Sequence, residues 1–525
     1  MYSKNKYSYT YPLLFSIAVV FGMLIGYKLH SNMPISKSFF STKEKNSLDE
    51  ALDIIQKRYV DKVNIDSTEA LAIQTVLSSL DPHSNYIPIS ALLEMNEDIE
   101  GQFEGIGVEF TIFSDTVNIL SVLKNGPSAK AGLIVGDKIM KVNDNSAIGI
   151  KDSDQFKKWV KGPSGSVVNL SILRNEKLIS KQITRGSIPI TSVDAAYMVD
   201  QETGYIRLNR FSANTYREFM TEIEKLNKKG LKKLLLDLRD NGGGILDEAV
   251  NIADEFISGD KLIVYTEGKS SPRKDYKAKR PGLFEEGKVI ILMNENSASA
   301  SEVLAGALQD HDRAIIVGRN SFGKGLVQEQ FSLSDGSALR LTTARYYTPL
   351  GRSIQKSYRN GSKEYHRNYL NRIHQVDTNS NVTDDAKIFK TAGGKILYES
   401  NGIAPDIKIL KENNKYDSVV IKIYENNLIG NFSYRKYINE KLSIAKMKIP
   451  AELSKYLSDK YKTINELHEF AKIQGKILPV FTDAEASFIH QRITAQIIRL
   501  AWGENAYFTY LNQIDEGFRK AIESF

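Results

Sequence analysis

From Ser187 to Val317, strand-like and helix-like segments alternate with a regularity that few architectures accept. GYIRLNRF, KKLLLDLR, KLIVYTE and KVIILMN read as strands, and TYREFMTEIEKLNKKG, GGILDEAVNIADEFISG and ASEVLAGALQD as helices. That alternation predicts an α/β layer around a mainly parallel sheet. Strands and turns over Ala338–Gly351 and Gly393–Ile407 finish this core. Residues 354–390, rich in Asn, Lys, Arg and Ser, read as an exposed insertion.

The 525 residues leave room for about two to four domains. Leu48–Leu80 carries apolar residues at helical spacing and stops at Asp81-Pro82-His83, a turn signal. Over 99–186, GIGVEFTIF and VNILSVL alternate as strands and DSDQFKKWVKG is helical. SVVNLSILRN and LISKQITR form a hairpin with Asn175 in its turn. After about residue 415 the chain is helical again, most clearly at Tyr416–Leu428, Ala451–Leu457 and Ala484–Tyr510. The expected divisions are a cytoplasmic N-terminus (1–10), an anchor (11–29), and a tether with a helical segment (30–98, polar over 32–46). A β-rich module (99–186), the main core (187–412) and a helical region without an assigned role (413–525) follow.

The anchor rests on Tyr11–Tyr27, YPLLFSIAVVFGMLIGY, which is uncharged and follows Lys4 and Lys6. As a helix it would span about 26 Å, close to the hydrocarbon thickness. Positive charge ahead of it places residues 30–525 outside the cytoplasm on a single-pass anchor. No small-x-small site follows Gly26, which favours an anchor over a cleaved signal peptide. The formal charge of +7 is small for this length and of interleaved sign, which argues against nucleic-acid binding. The chain has no cysteine. That excludes disulfides, thiol catalysis, zinc–cysteine sites and a lipidated cysteine.

Chemistry concentrates in residues 297–328, SASASEVLAGALQDHDRAIIVGRNSFGKGLVQ. The apolar strand Val289–Met293 runs into a polar turn, and a serine cluster opens a helix. A serine hydroxyl loses its proton as it attacks a carbonyl, so a base must lie within reach. Lys324, between Gly323 and Gly325, suits that role for Ser299 if its amine is neutral. The amine must then fall from about 10.4 to near 7, about 4 kcal/mol, which desolvation can supply. Phe322 and Leu326 are apolar, and no carboxylate lies within four positions along the chain. The oxyanion needs fixed N–H donors. Ala300, at the start of the helix, offers one. The Asp240–Gly244 loop could offer a second, though a glycine run alone is more simply a strand-to-helix turn.

Other motifs carry less. GRNSFGK (318–324) nearly matches a P-loop, but Gly325 stands where Ser or Thr would hold magnesium. The seven histidines show no metal-ligand spacing. His311 follows Ser299 by twelve positions, but QDHDR reads as an exposed helix end, and neither GxSxG nor GDSGG surrounds the serine. His83 reads as a turn brace.

The order GIGV, PSAKAGLxxGDxIxxVN, helix, VxLxxxR resembles a PDZ domain. That resemblance implies that the Glu104–Val108 loop, with Gly105, Ile106, Gly107 and Val108, offers N–H groups to a peptide's terminal carboxylate. The peptide would add as a strand. Together with LDPHSNYI (80–87), LLLDLRDNGGG (234–244), NSASASE (296–302), GRNSFGKGLVQ (318–328), LTTARYYTPLGRSIQ (341–355) and GIAPDI (402–407), the chain resembles the carboxyl-terminal processing peptidases, or tail-specific proteases. The likeness covers roughly 48–355 and returns at 400–407. It implies an α/β (α+β) multidomain protein: a parallel-sheet peptidase core with an inserted PDZ domain, flanked by helical N- and C-terminal regions. It implies Ser299 as nucleophile, Lys324 as base, Gln328 as the residue orienting Lys324, and Gly243 or Gly244 joining Ala300 in the oxyanion hole. No metal or organic cofactor is implied. The implied partners are protein substrates with free C-terminal tails, and a homo-oligomer or an activating partner stays open. Gly242 stands where the family often has proline. Two alternatives remain, a catalytically silent PDZ scaffold and a peptidase that a partner must align. Loss of Ser299 or Lys324 would have favoured the scaffold, and both are present.

Overall fold

The computed structural model describes residues 10–32, 46–113, 115–374, 387–399, 401–410, 423–424 and 427–525. The tether over 32–46, apart from its two end residues, and most of the helix expected at Tyr416–Leu428 lie outside them. Residues 1–73 and 74–525 form two compact units. In the first, α1 (Thr10–Asn32) leaves Leu13, Phe15, Phe21 and Met23 exposed. Among the described residues no helix is long and apolar enough to cross a membrane, so the expected anchor rests on sequence alone. α2 (Ser47–Arg58) has Asp49 and Glu50 in its first turn and Lys57 and Arg58 in its last, the polarity that suits the helix dipole.

α3 (Ile65–Leu80) leads into the second unit and ends at an Asp81 turn. There the Asp81 carboxylate accepts from the His83 and Ser84 N–H groups at 2.7 and 2.8 Å. β1 (Asn85–Ile87), α4 (Ile89–Glu100) and β2 (Gln102–Gly105) follow. The β-rich module is a sheet ordered β3 (Val108–Phe113), β4 (Thr116–Val122), β5 (Lys138–Val142), β7 (Val167–Arg174), β8 (Lys177–Thr184). The short β6 (Asn145–Ser146) pairs with β5. In β7, Val168, Leu170 and Ile172 are buried while Val167 and Asn169 are exposed, the period of a half-covered strand. Asn175 and Glu176 both take positive φ, 48° and 62°, as a two-residue hairpin turn requires. α5 (Pro127–Lys130) is one turn, and α6 (Ser153–Val160), capped by Asp152, lays Phe156 and Val160 on the module's core. β9 (Gly186–Pro189) pairs with β2, so the module's entry and exit lie side by side.

The main sheet runs β10 (Val193–Met198), β11 (Thr203–Leu208), β12 (Lys233–Asp237), β15 (Lys288–Met293), β16 (Ala314–Gly318), β21 (Ile407–Lys408), parallel from β11 onward. LLL in β12 and VIILM in β15 are buried on both faces, which explains their unbroken apolar runs. α7 (Thr215–Asn227), α8 (Leu246–Asp254) and α9 (Ala300–Asp310) cover it. KLIVYTE departs from the expectation. As β13 (Leu262–Glu267) it pairs antiparallel with β14 (Lys274–Lys277) and β18 (Ala338–Tyr347) in a second sheet with β1 and β17 (Leu326–Ser332). The link from β13 to β14 is too short for a crossover helix, so only a hairpin can form. Of the QDHDR helix end, expected to be exposed, only Asp312 is. Gln309 and Asp310 are buried, and Arg352, also buried, pairs with Asp310 at 2.5 Å. Arg352 lies far along the chain, beyond the reach of local reading. The 354–390 segment contains α10 (Ser362–His374), which packs on the serine–lysine region, and β19 (Ile388–Lys390), which pairs with β20 (Ile396–Tyr398) just beyond it.

Beyond Asn427 the helices Leu428–Ile444, Pro450–Tyr456, Lys460–Ile473, Asp483–Trp502 and Glu504–Ile514 build their own core, while the last, Glu516–Glu523, lays Phe518 and Ala521 against Tyr205, Leu235 and Ile290 of the main sheet. Ala484–Tyr510, expected as one helix, is broken at Gly503, whose φ of 84° suits glycine. This region touches both neighbours. Arg499 meets Glu109 of β3 at 2.9 Å, and Phe113 lies beside the rings of Tyr434 and Phe470. On the core side Asn512 donates to Tyr197 and Asp515 pairs with Arg239.

Candidate active site

β15 delivers the chain to a turn at Asn294–Ala298, and α9 starts immediately beyond it. Ser297 and Ser301 are fully buried and donate their hydroxyls to the carbonyls of Leu238 and Asn241. Ser299 between them is partly exposed, with φ 55° and ψ −115°, a conformation uncommon outside glycine and often found where function demands it. Of the three serines, the middle one faces the solvent side.

Glu302, one helical turn on and fully buried, ties the two chemical loops together. Its Oε2 accepts the Ser299 N–H at 2.8 Å and the Lys324 N–H at 2.9 Å. Its Oε1 accepts the Gly323 N–H at 2.7 Å and the Ser321 hydroxyl at 2.5 Å. Burial raises the Glu302 carboxyl above its ordinary range, against the pull of these donors. Tyr346, buried on β18, bridges the same pair from the other side. Its hydroxyl reaches the carbonyls of Ser299, at 3.0 Å, and Lys324. Further braces come from GRSIQ and GIAPDI: Gln355 accepts the Gly325 N–H, and Ser321 Oγ accepts the Ile403 N–H.

The Lys324 amine does not meet Glu302. Nζ donates to Gln328 Oε1 at 2.8 Å, and Gln328 Nε2 donates to the His83 carbonyl at 2.7 Å. Because that carbonyl can only accept, the orientation of the Gln328 amide is fixed. Burial pushes the amine below the ordinary lysine range and Arg340 adds to the effect, while Glu302 and Asp81 oppose it. The His83 imidazole is pushed down to about 4, by burial first and by Lys324 second, so it is neutral at pH 7.

The strand-end loop Asp240–Gly244 lies against the serine. A methyl group on Gly243 would sit 2.7 Å from Ser299 Cβ and 2.9 Å from Ala300 N, and one on Gly244 would sit 2.0 Å from the Phe211 carbonyl. Both glycines have positive φ, 93° and 144°. The Gly243 N–H is donated to Asn241 Oδ1 at 2.9 Å. The loop is anchored by Asp237, fully buried at the end of β12. Tyr205, Arg207 and Arg239 all bond to it, and Arg239 reaches on to Asp515. Burial alone would raise the Asp237 carboxyl, but the two guanidiniums overcome this and hold it far below the ordinary range.

Ser299, Ala300, Lys324, Gln328 and the Gly243–Gly244 turn therefore converge. Gly105, Ile106, Gly107 and Val108 form part of a separate cavity of about 250 Å³ between the β-rich module and α4, lined also by Phe110, Val160, Glu94 and Glu97. Sequence reasoning passed over Glu302, although a glutamate three positions after a helix-opening serine is a capping-box signal. It also passed over Tyr346 and the Asp237 cluster. His311 is engaged elsewhere, its Nε2 2.7 Å from the Leu262 carbonyl. Among the described residues no group of three or more His, Asp or Glu is placed to hold a metal ion.

Comparison with known proteins agrees with this architecture. Residues 202–364 match the model of peptidase family S41, and residues 105–184 match a PDZ domain. A carboxy-terminal-processing protease of Bartonella bacilliformis is 36% identical over 333 residues, 61% of this chain and 76% of that protein. A probable CtpA-like serine protease of Staphylococcus haemolyticus is 33% identical over 407 residues, 76% and 81% of the two chains. Among solved structures, a photosystem II D1 C-terminal processing protease is 27% identical, covering 69% of this chain and 86% of that one with a TM-score of 0.37. The chain is a PDZ-containing serine peptidase of family S41 and belongs to the carboxy-terminal-processing proteases.

Proposed function

We propose that the protein is an endopeptidase that cleaves proteins near their C-termini through a Ser299–Lys324 dyad after its PDZ domain has docked the substrate's tail. The carrying observation is Glu302, whose carboxylate fixes the backbones of Ser299 and Lys324 while leaving the lysine amine to Gln328. An amine that donates one N–H to Gln328 keeps its lone pair free for the serine hydroxyl. Ser299 Oγ attacks the substrate carbonyl as its proton passes to Lys324, and the oxyanion forms beside Ala300 and the Gly243–Gly244 turn. Lys324 returns the proton to the leaving amine, and water then attacks the acyl-enzyme by the same route. β3, paired only with β4 among the described strands, offers an edge for the tail beside the Gly105–Val108 loop.

The reading continues to an anchor at 11–29, with the catalytic part on the extracytoplasmic side. The uncharged run Tyr11–Tyr27 and the exposed apolar side chains of α1 support it. Protease accessibility in whole cells tests that topology, and protection of residues 74–525 would exclude it.

Incubating the full chain with unfolded tails that differ only in a free or amidated terminus tests the docking step. The free tail is expected to be cut about tenfold or more faster at low concentration, the effect of one charge-assisted docking contact. Equal rates would remove the carboxylate-docking role of Gly105–Val108.

A further inference from the structure

The helix α10 belongs to a segment that the sequence marks as an exposed insertion, yet its aromatic side chains lie on the catalytic loops. The Tyr365 hydroxyl is 3.0 Å from His83 Nε2, with the two rings edge-on at 5.4 Å. Phe322, two residues before Lys324, sits against Tyr369 at 4.9 Å and near both Tyr365 and His83. Tyr369 donates to Asn296 at 2.7 Å, in the turn that precedes Ser299. Arg372 donates to the carbonyls of Ser321 at 2.5 Å and Phe322 at 3.1 Å. One face of α10, at spacings of four and three, thus covers both loops of the site.

Tyr365 reaches the lysine by two routes. Its hydroxyl holds the His83 ring, and the His83 carbonyl holds Gln328, which accepts from the Lys324 amine. Its own carbonyl accepts from Lys356 Nζ at 3.1 Å, while the Lys356 N–H donates to Gly323. Resting on the dyad reading above, we propose that α10 is a fixed lid over the catalytic amine and that Tyr365 is the positioning residue that keeps it dry and aligned. Tyr365 touches none of the reacting atoms and acts through His83, Gln328 and the Phe322 ring.

The lid sets the condition on which a lysine base depends, because an amine open to water holds its proton at neutral pH. The other ionisable groups facing Lys324 are Arg340, Glu302, Asp81 and His83. None of them belongs to α10, so opening the lid at Tyr365 changes the hydration of the amine without removing a charge.

The test is the pH profile of kcat for the full chain on a free-tailed peptide, in the wild type, Tyr365→Phe, Tyr365→Ala, Arg372→Ala and Lys324→Ala. Tyr365→Ala is expected to move the acid limb about one pH unit upward. That is about a tenfold loss at pH 7 that recovers toward wild type at alkaline pH, with KM within about twofold. Tyr365→Phe, which keeps the ring, is expected to fall between the two, and Arg372→Ala to shift the limb in the same direction. An unmoved limb, or a loss equal at every pH, overturns the lid in whichever of these variants folds. Lys324→Ala separates the two ideas. Activity in it would remove the dyad, whereas an inactive Lys324→Ala beside an unshifted Tyr365→Ala would remove the lid alone.

Discussion

Lys324→Ala is expected to fold as the wild type does and to cleave tail-bearing substrates more than about a thousandfold more slowly, as is Ser299→Ala, since a nucleophile and its base act as one unit. The structure supports both halves of that expectation. Lys324 contributes to the fold through its backbone, whose N–H meets Glu302 and whose carbonyl meets Tyr346, and both contacts survive truncation to alanine. Its amine has Gln328 as a partner and, among the described residues, no salt bridge, so removing it breaks no ion pair there. The double variant should be no slower than the worse single one. Steady-state cleavage with thermal unfolding of each variant checks this, and a Lys324→Ala protein that cuts at wild-type rates would remove the assigned base.

Gly243→Ala is expected to slow cleavage about a hundred- to a thousandfold while leaving most of the fold in place. A methyl group there would lie 2.6 Å from the Ala298 carbonyl and 2.7 Å from Ser299 Cβ, closer than real contacts allow, on a backbone whose φ of 93° already excludes most side chains. The strain can be relieved only by moving the Asp240–Gly244 turn or the serine, and either movement misplaces the oxyanion donors. Losing one such donor elsewhere costs about a hundred- to a thousandfold in kcat. The same substitution at Gly242, where a methyl group would meet nothing within 4 Å, should leave kcat within about threefold, the scatter expected of a substitution that touches nothing. Comparing kcat for the two alanine variants measures the effect, and near-equal activities would show that the turn does not shape the site.

Much of the architecture was legible because it is written locally. The continuous apolar runs of β12 and β15 mark a sheet covered on both faces, and the alternation in β7 marks one covered face. Asn175 announced its hairpin turn. Ser299, Lys324 and Gln328 stand close along the chain, between the start of α9 and β17, so motif reading could collect them. What stayed hidden depends on partners distant in sequence. Arg352 neutralises Asp310 from 42 positions away, so a helix end that looks wet is buried. Asp515 reaches Arg239 across 276 positions, from a region to which no role could be assigned. The lid of α10 was missed because Lys, Arg and Asn dominate the segment's composition, while Tyr365 and Tyr369, one helical turn apart, make the contacts. Glu302 is different, since its spacing from Ser299 was a readable signal that went unused.

The central claim is that the catalytic amine is held uncharged by a dry setting. Direct titration of the Lys324 side chain tests it most closely, using carbon-labelled lysine in the Ser299→Ala protein with the resonance assigned by its loss in Lys324→Arg. A midpoint well below the ordinary lysine value of about 10.4 is the expected result. A midpoint at or above that value would contradict the mechanism.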